Sequence, residues 1–217
     1  MSNYEFTKDW FSWAPEVWQQ LIPLLPARQR FLEIGSFEGR SAVWIMENMM
    51  EDGGYIDCID TWEGGEEHSA EDMAAVEERF DNNLEIACEK FGEFDGEEAR
   101  NYFKIKAPSV RALGALLLDQ EFINDFPMGG PGKPVKPKYD FIYIDGSHIA
   151  KDVLTDACMA WPMLKKGGIM VFDDYLWGDP RDTLHRPKIA IDAFTNIFAE
   201  EMQHVHSGYQ LIVRKTP

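Results

Sequence analysis

The run Tyr139-Asp140-Phe141-Ile142-Tyr143-Ile144-Asp145 limits the fold of this chain more than any other stretch. It is apolar almost without interruption and then ends on a carboxylate. A strand wetted on one face alternates apolar and polar residues, whereas one buried on both faces of a parallel sheet does not. Shorter runs of the same kind are Arg30–Gly35, Tyr55–Asp60, Tyr102–Lys106 and Ile169–Phe172, and each is followed by residues at helical spacing. The predicted helices cover Ser41–Met50, residues 72–91, Val110–Leu118, residues 149–164 and residues 187–202. Val205–Val213 reads as two further strands joined at Ser207-Gly208. Five strand–helix alternations and a hairpin describe one α/β domain over residues 1–217. The expected architecture is a doubly wound sheet of seven strands, mostly parallel, with an antiparallel C-terminal hairpin. Residues 1–29 form an aromatic-rich helical extension that carries Trp10, Phe11, Trp13 and Trp18 and ends at Pro23 and Pro26.

The charge balance narrows the partners. Lys and Arg number 21 against 38 Asp and Glu, a net charge of −17, so no nucleic-acid or anionic-membrane partner is expected. The three cysteines, Cys58, Cys88 and Cys158, stand far apart with no Cys-x-x-Cys pair; buried free thiols in a reducing cytoplasm are the expectation. Met1–Phe6 has no basic stretch leading into an apolar core. No apolar run reaches the length of about 18 residues that a membrane span needs. The Gly/Pro/Lys-rich loop 127–138 enters the fourth strand at its amino end, away from the ligand rim of such a sheet. It is assigned to an edge, to contact between copies of a homo-oligomer, or to no role.

Ligands of an open α/β sheet sit beyond the carboxyl ends of its strands. Here those ends carry Glu33, Asp60, Asp145 and the pair Asp173-Asp174, all on one rim. The loop Gly35-Ser36-Phe37-Glu38-Gly39 follows the first strand but lacks the middle glycine of a dinucleotide loop, and Glu38 would repel a pyrophosphate. A cofactor with a ribose and an ammonium group, and no phosphate, suits these residues better. Glu33 can face the positive charge and Asp60 can accept from the ribose hydroxyls. A nicotinamide-dependent oxidoreductase with Asp60 on the ribose of NAD is the alternative, against which the missing glycine counts.

Phe31-Leu32-Glu33-Ile34-Gly35-Ser36-Phe37-Glu38-Gly39-Arg40-Ser41, Ile59-Asp60-Thr61-Trp62, Asp140–His148 and Lys166–Tyr175 together resemble the class I methyltransferases. The resemblance covers residues 30–175 and is narrower to the cephalosporin-hydroxylase-like and macrolide-sugar O-methyltransferases. It implies a Rossmann-like sheet, S-adenosylmethionine as cofactor and a small-molecule methyl acceptor; a non-catalytic relative that only binds the cofactor is a further alternative. Glu33, Gly35, Ser36 and Gly39 would line the amino-acid and ribose end of the cofactor, with Asp60 on the ribose. Thr61 and Trp62 would flank the adenine, with Trp62 equally suited to be a core or lid residue, and Ser109 of Ala107-Pro108-Ser109 would meet its edge. Asp145, Asp173 and Asp174 match the metal positions of the catechol- and caffeoyl-type O-methyltransferases, with Asp145 also facing the cofactor. Oxygen-only ligands favour Mg²⁺ or a similar hard ion, which acidifies and orients an acceptor hydroxyl. Without a metal, Asp145 would meet substrate and Asp174 would cap a helix. His148 stands where the catechol-type enzymes carry a catalytic lysine and would serve as general base, or else cap the helix at Ile149 or contact the cofactor carboxylate. Trp10, Phe11, Trp13, Tyr175 and Trp177 are the candidate substrate lid, and His185, Arg181 and Arg186 share the loop after the fifth strand.

Overall fold

The structure is a computed structural model that describes residues 3–65, 72–94, 97–118, 138–178 and 182–216. Strands β1 (Arg30–Ile34), β2 (Gly54–Asp60), β5 (Arg100–Lys106), β6 (Tyr139–Ile144), β7 (Leu164–Phe172), β8 (Met202–Ser207) and β9 (Leu211–Lys215) form the main sheet; β3 (Glu93–Phe94) and β4 (Glu97–Glu98) pair separately. The order is β5-β2-β1-β6-β7-β9-β8, parallel throughout except where β9 joins β7 and β8. This is the doubly wound, mostly parallel sheet with an antiparallel end that the apolar runs imply, Rossmann-like as the resemblance implies.

Both faces are covered because successive side chains of a buried strand point opposite ways. Phe31, Phe141, Tyr143 and Ile169 lie under α2 (Arg40–Trp44), α3 (Met73–Phe91) and the N-terminal segment. Leu32, Ile34, Ile142 and Met170 lie under α4 (Ser109–Leu117), α5 (Ala150–Ala160) and α6 (Pro187–Ile197). No helix among the described residues is long and apolar enough to cross a membrane.

Several boundaries differ from the sequence expectation. The N-terminal segment is helical only in α1 (Ala14–Trp18) and a 3₁₀ turn at Ile22–Leu24, too short to stand alone. It is part of the core: Trp18 is fully buried, meeting Phe11, Phe141 and Tyr143 with ring centroids 4.9–5.1 Å away. The helix predicted over 149–164 stops at Ala160 and tightens to a 3₁₀ turn around Pro162, which has no N–H to continue it. Lys165-Lys166-Gly167-Gly168, expected to close that helix, belongs to β7. The last helix ends at Ile197 instead of residue 202, and the hairpin turns at residues 208–210. Cys58 and Cys88 are buried as expected, but Cys158 is exposed on α5. Of the loop 127–138 only Lys138 lies within the described residues.

The strand registers set up the site. Ile105, Ile59, Ile34, Ile144 and Phe172 stand side by side across β5, β2, β1, β6 and β7. One residue further along, the same row reads Lys106, Asp60, Gly35, Asp145 and Asp173.

Candidate functional site

The glycine loop is built around Asp60. Its Oδ2 accepts from the backbone N–H groups of Ser36 and Phe37, each at 2.9 Å, and its Oδ1 from that of Trp62 at 2.9 Å. These bonds hold Phe37 (φ 47°) and Trp62 (φ 49°) in left-handed conformations that cost such residues free energy. Gly39 (φ 77°) then starts α2. Gly35 is needed for a different reason. A Cβ there would lie 2.1 Å from the carbonyl oxygen of Asp145, so the glycine loop and the end of β6 touch through a missing side chain.

Glu33 lies beneath this loop, fully buried, and accepts from Ser41 Oγ at 2.5 Å. Burial, opposed by Ser41 and Ser36, lifts its carboxyl from the ordinary 4.5 to about 7. Glu33 Oε2 and Ser36 Oγ are buried without a hydrogen-bond partner; Ser36 acts on the carboxyl without reaching hydrogen-bond geometry. A carboxyl whose folded-state pKa is raised loses stability as pH climbs from the unfolded value to the folded one. Glu33→Gln, which mimics the protonated form, is therefore expected to stabilise the fold more at pH 8 than at pH 5, by about 2 kcal/mol. Urea unfolding of both proteins at the two pH values measures this. An equal difference at both would show that Glu33 does not titrate as described.

The remaining residues on the expected adenine side are placed differently. Trp62 is buried, packs on Phe80 at 4.8 Å and donates from Nε1 to the Phe37 carbonyl at 2.9 Å. It braces the loop from the core and does not line the cleft. Thr61 is half-buried, its Oγ1 accepting from Glu63 N at 3.2 Å. Ser109 opens α4, and Asp156 is a buried carboxyl on α5 that burial lifts to about 6 against the opposing effect of Ser109.

At the other half of the rim, Asp145, Asp173 and Asp174 bring carboxylate oxygens within 4.8 Å of one another. Asp145 extends β6 through N–H···O=C to Ile34 at 2.8 Å, and Asp173 extends β7 through Ile144 at 3.0 Å. Asp174 (φ 54°) turns the chain, with its carbonyl accepting from Trp177 N at 2.9 Å. Tyr143, buried two positions before Asp145, sets its hydroxyl between Asp145 Oδ2, at 2.9 Å, and Asp173 Oδ2. Asp145 is held well above the usual carboxylate range, first by the protein around it and then by the charges of Asp173 and Asp174. Its residue still opens to solvent, so the like charges are the more durable cause. Asp173 is lifted to about 6, first by burial and then by Asp174. Like charges gathered in this way favour a bound cation or a shared proton among them.

His148 Nε2 lies 2.7 Å from Asp174 Oδ2, and its ring stacks on Trp177 at 4.6 Å. Tyr209 donates to Asp174 Oδ1 at 2.9 Å and packs edge-on against Trp13 at 5.4 Å. Trp10, Trp13 and Trp177 are the exposed members of the expected lid. Phe11 is in the core, and Tyr175 bonds Asp192 at 2.8 Å on α6. His185 pairs with Asp182 at 3.0 Å in its own loop, and Arg181 lies outside the described residues.

Sequence reasoning missed Tyr143, Tyr209, Gln210 and the true role of Glu38. The last is buried and grips the N-terminal segment, accepting from Thr7 N at 2.6 Å and Thr7 Oγ1 at 2.7 Å, with Arg79 Nε at 2.5 Å. Tyr143 could have been found, since the period of a strand puts it on the same face as Asp145.

Residues 32–175 match a family model described as a methyltransferase domain. Curated proteins give no significant match. Among solved structures, a putative O-methyltransferase from Klebsiella pneumoniae is similar at a TM-score of 0.62 and 14% identity, over 98% of this chain and 84% of that one. The O-methyltransferase TomG from Streptomyces achromogenes, involved in tomaymycin synthesis and solved with S-adenosylmethionine, gives 0.60 and 18% over 94% and 81%. MycE of the mycinamycin pathway, solved with Mg, S-adenosylhomocysteine and mycinamycin VI, gives 0.53 and 16% over 98% of this chain and 51% of that one. At such identities the likeness shows the fold. The family match spans the glycine loop, Asp60 and all three clustered acids, and the chain belongs to this family of methyltransferase domains.

Proposed function

We propose that this protein transfers a methyl group from S-adenosylmethionine to an oxygen of a small molecule, with a divalent cation such as Mg²⁺ assisting. The observation that carries the reading is the gathering of Asp145, Asp173 and Asp174 within 4.8 Å at the strand ends beside the glycine loop. The residues fit both groups. Glu33 Oε2 and Ser36 Oγ, buried and unpartnered, match the donors that an amino-acid end brings through a bridging water. An all-oxygen acid cluster with raised pKa values suits a hard cation.

Gly35, Ser36 and Gly39 with Asp60 would hold the ribose and amino-acid end; Thr61 stands at the rim beside them. Asp145, Asp173 and Asp174 would hold the cation. When bound, the cofactor supplies a methyl group on a sulfonium sulfur, and the cation acidifies and orients the acceptor hydroxyl. His148 would take the proton of the acceptor hydroxyl onto its imidazole. Asp174 orients its imidazole. Trp13 and Trp177 flank that carboxylate and exclude water. The net charge of −17 favours a small acceptor over nucleic acid. The family match leaves the nicotinamide reading without support.

Release of S-adenosylhomocysteine is to be measured on a panel of sugar hydroxyl, phenol and carboxylate acceptors. EDTA is expected to abolish turnover and Mg²⁺ to restore it. His148→Ala should lower kcat by about 100-fold and flatten the acid limb of the pH profile. Full activity in EDTA would remove the cation from the reading. Cofactor binding without transfer to any acceptor would leave a binding protein.

A further inference from the structure

The acids at the end of β7 are steadied by residues outside the matched region. Tyr209 and Gln210 lie between β8 and β9, and Trp13 and Trp18 in the N-terminal segment, all beyond residues 32–175. Gln210 is buried; its Nε2 donates to Asp173 Oδ2 at 3.1 Å, and its Oε1 accepts from Trp18 Nε1 at 2.7 Å. An indole N–H can only donate, so the amide must turn its oxygen to Trp18 and its NH₂ to the acid. Tyr209 makes a second link of the same form, from the edge-on contact with Trp13 to Asp174 Oδ1. The backbone ties the turn to the site as well, since Tyr175 N donates to the Tyr209 carbonyl at 2.9 Å.

We propose that Gln210 and Tyr209 are positioning residues for Asp173 and Asp174, setting the spacing of the oxygens that hold the cation. Trp18 and Trp13 fix these two side chains in turn. The inference rests on the cation reading above. A small divalent ion demands oxygens at near-fixed distances and directions. Two adjacent carboxylates left to themselves splay apart by repulsion. A neutral donor on each acid lowers that repulsion and fixes the side-chain rotation. Asp173 Oδ2 already accepts from Tyr143 and Gln210, so Asp173 Oδ1 and the two oxygens of Asp174 keep the lone pairs left for the ion. Both donors sit on one turn, so the spacing of the acids is set by a rigid two-residue unit.

Mn²⁺ binding to the full chain, followed by electron paramagnetic resonance, tests this, with S-adenosylhomocysteine affinity measured alongside. Tyr209→Phe removes only a hydroxyl and keeps the ring against Trp13. Gln210→Leu removes both amide bonds. Each is expected to weaken Mn²⁺ binding by about 10-fold, the loss typical for a partner of a metal ligand, while S-adenosylhomocysteine affinity holds within about twofold. Should Gln210→Leu fail to fold, Tyr209→Phe decides alone. Unchanged Mn²⁺ affinity in Tyr209→Phe, with Asp174→Ala abolishing binding, overturns the positioning role and leaves the cation site standing. A wild-type protein that binds no Mn²⁺ overturns both.

Discussion

Replacing Gly35 with alanine should lower the melting temperature by about 10 °C, whereas the same change at Gly167 should lower it by about 3 °C. Both glycines have left-handed backbone, at φ 88° and 76°, so both substitutions incur about 1 kcal/mol of conformational strain. They differ in what the new methyl group meets. At Gly167 the nearest atom is the end of the Arg214 side chain at 3.6 Å, which is ordinary contact. At Gly35 it is backbone, the carbonyl oxygen and carbon of Asp145 at 2.1 and 2.5 Å and the Cα of Gly146 at 2.6 Å. Backbone in the middle of a sheet cannot swing aside, so β1 and β6 must part at their carboxyl ends. The overlap adds about 2–3 kcal/mol to the strain. Scanning calorimetry of the two variants measures the contrast, and equal shifts would refute the account. Cofactor affinity should fall in Gly35→Ala as well, because the parting opens the junction of the loop with the acid-bearing strand.

Asp145→Ala should lower methyl transfer by about 1000-fold or more without destabilising the fold. In the proposed mechanism Asp145 is a ligand of the cation, and losing such a ligand removes several kcal/mol of stabilisation from the transition state; about 4 kcal/mol corresponds to that factor. Stability should move the other way. Asp145 is held above the usual carboxylate range partly by Asp173 and Asp174, so its removal relieves like-charge repulsion. In EDTA the variant should melt at or slightly above the wild-type temperature. A large fall in melting temperature would make the activity loss a folding defect and take the support from the cation site.

The sheet was legible because buried parallel strands leave a direct mark. Apolar runs ending in Glu33-Ile34-Gly35, Asp60, Asp145 and Asp173-Asp174 gave both the strands and the rim. Edge strand β5 starts earlier than expected, at Arg100, because Arg100 and Asn101 carry no apolar signal where one side is wet. β7 starts earlier because its Gly167-Gly168 pair looks like a helix stop. The acids of the site were legible as a group, but their holders were not. Trp18 and Gln210 stand 192 positions apart, and such a hydrogen bond has no local spacing to betray it. Trp62 and Ser109 match a motif by position. The direction of the Trp62 ring, set by Phe80 and the Phe37 carbonyl, could only come from packing.

The insertion of β9 between β7 and β8 has a consequence for the order in which the protein can be made. β9 follows every other strand in this sequence, yet it is an interior strand. A nascent chain that has left the ribosome only as far as β8 has β7 unpaired on one side and β8 with no strand to join. The cofactor half, β5-β2-β1-β6, can close from residues already synthesised, whereas Asp173 and Asp174 wait for the turn and the strand after it. Non-local pairing of this kind is slow and leaves an open edge exposed in the meantime.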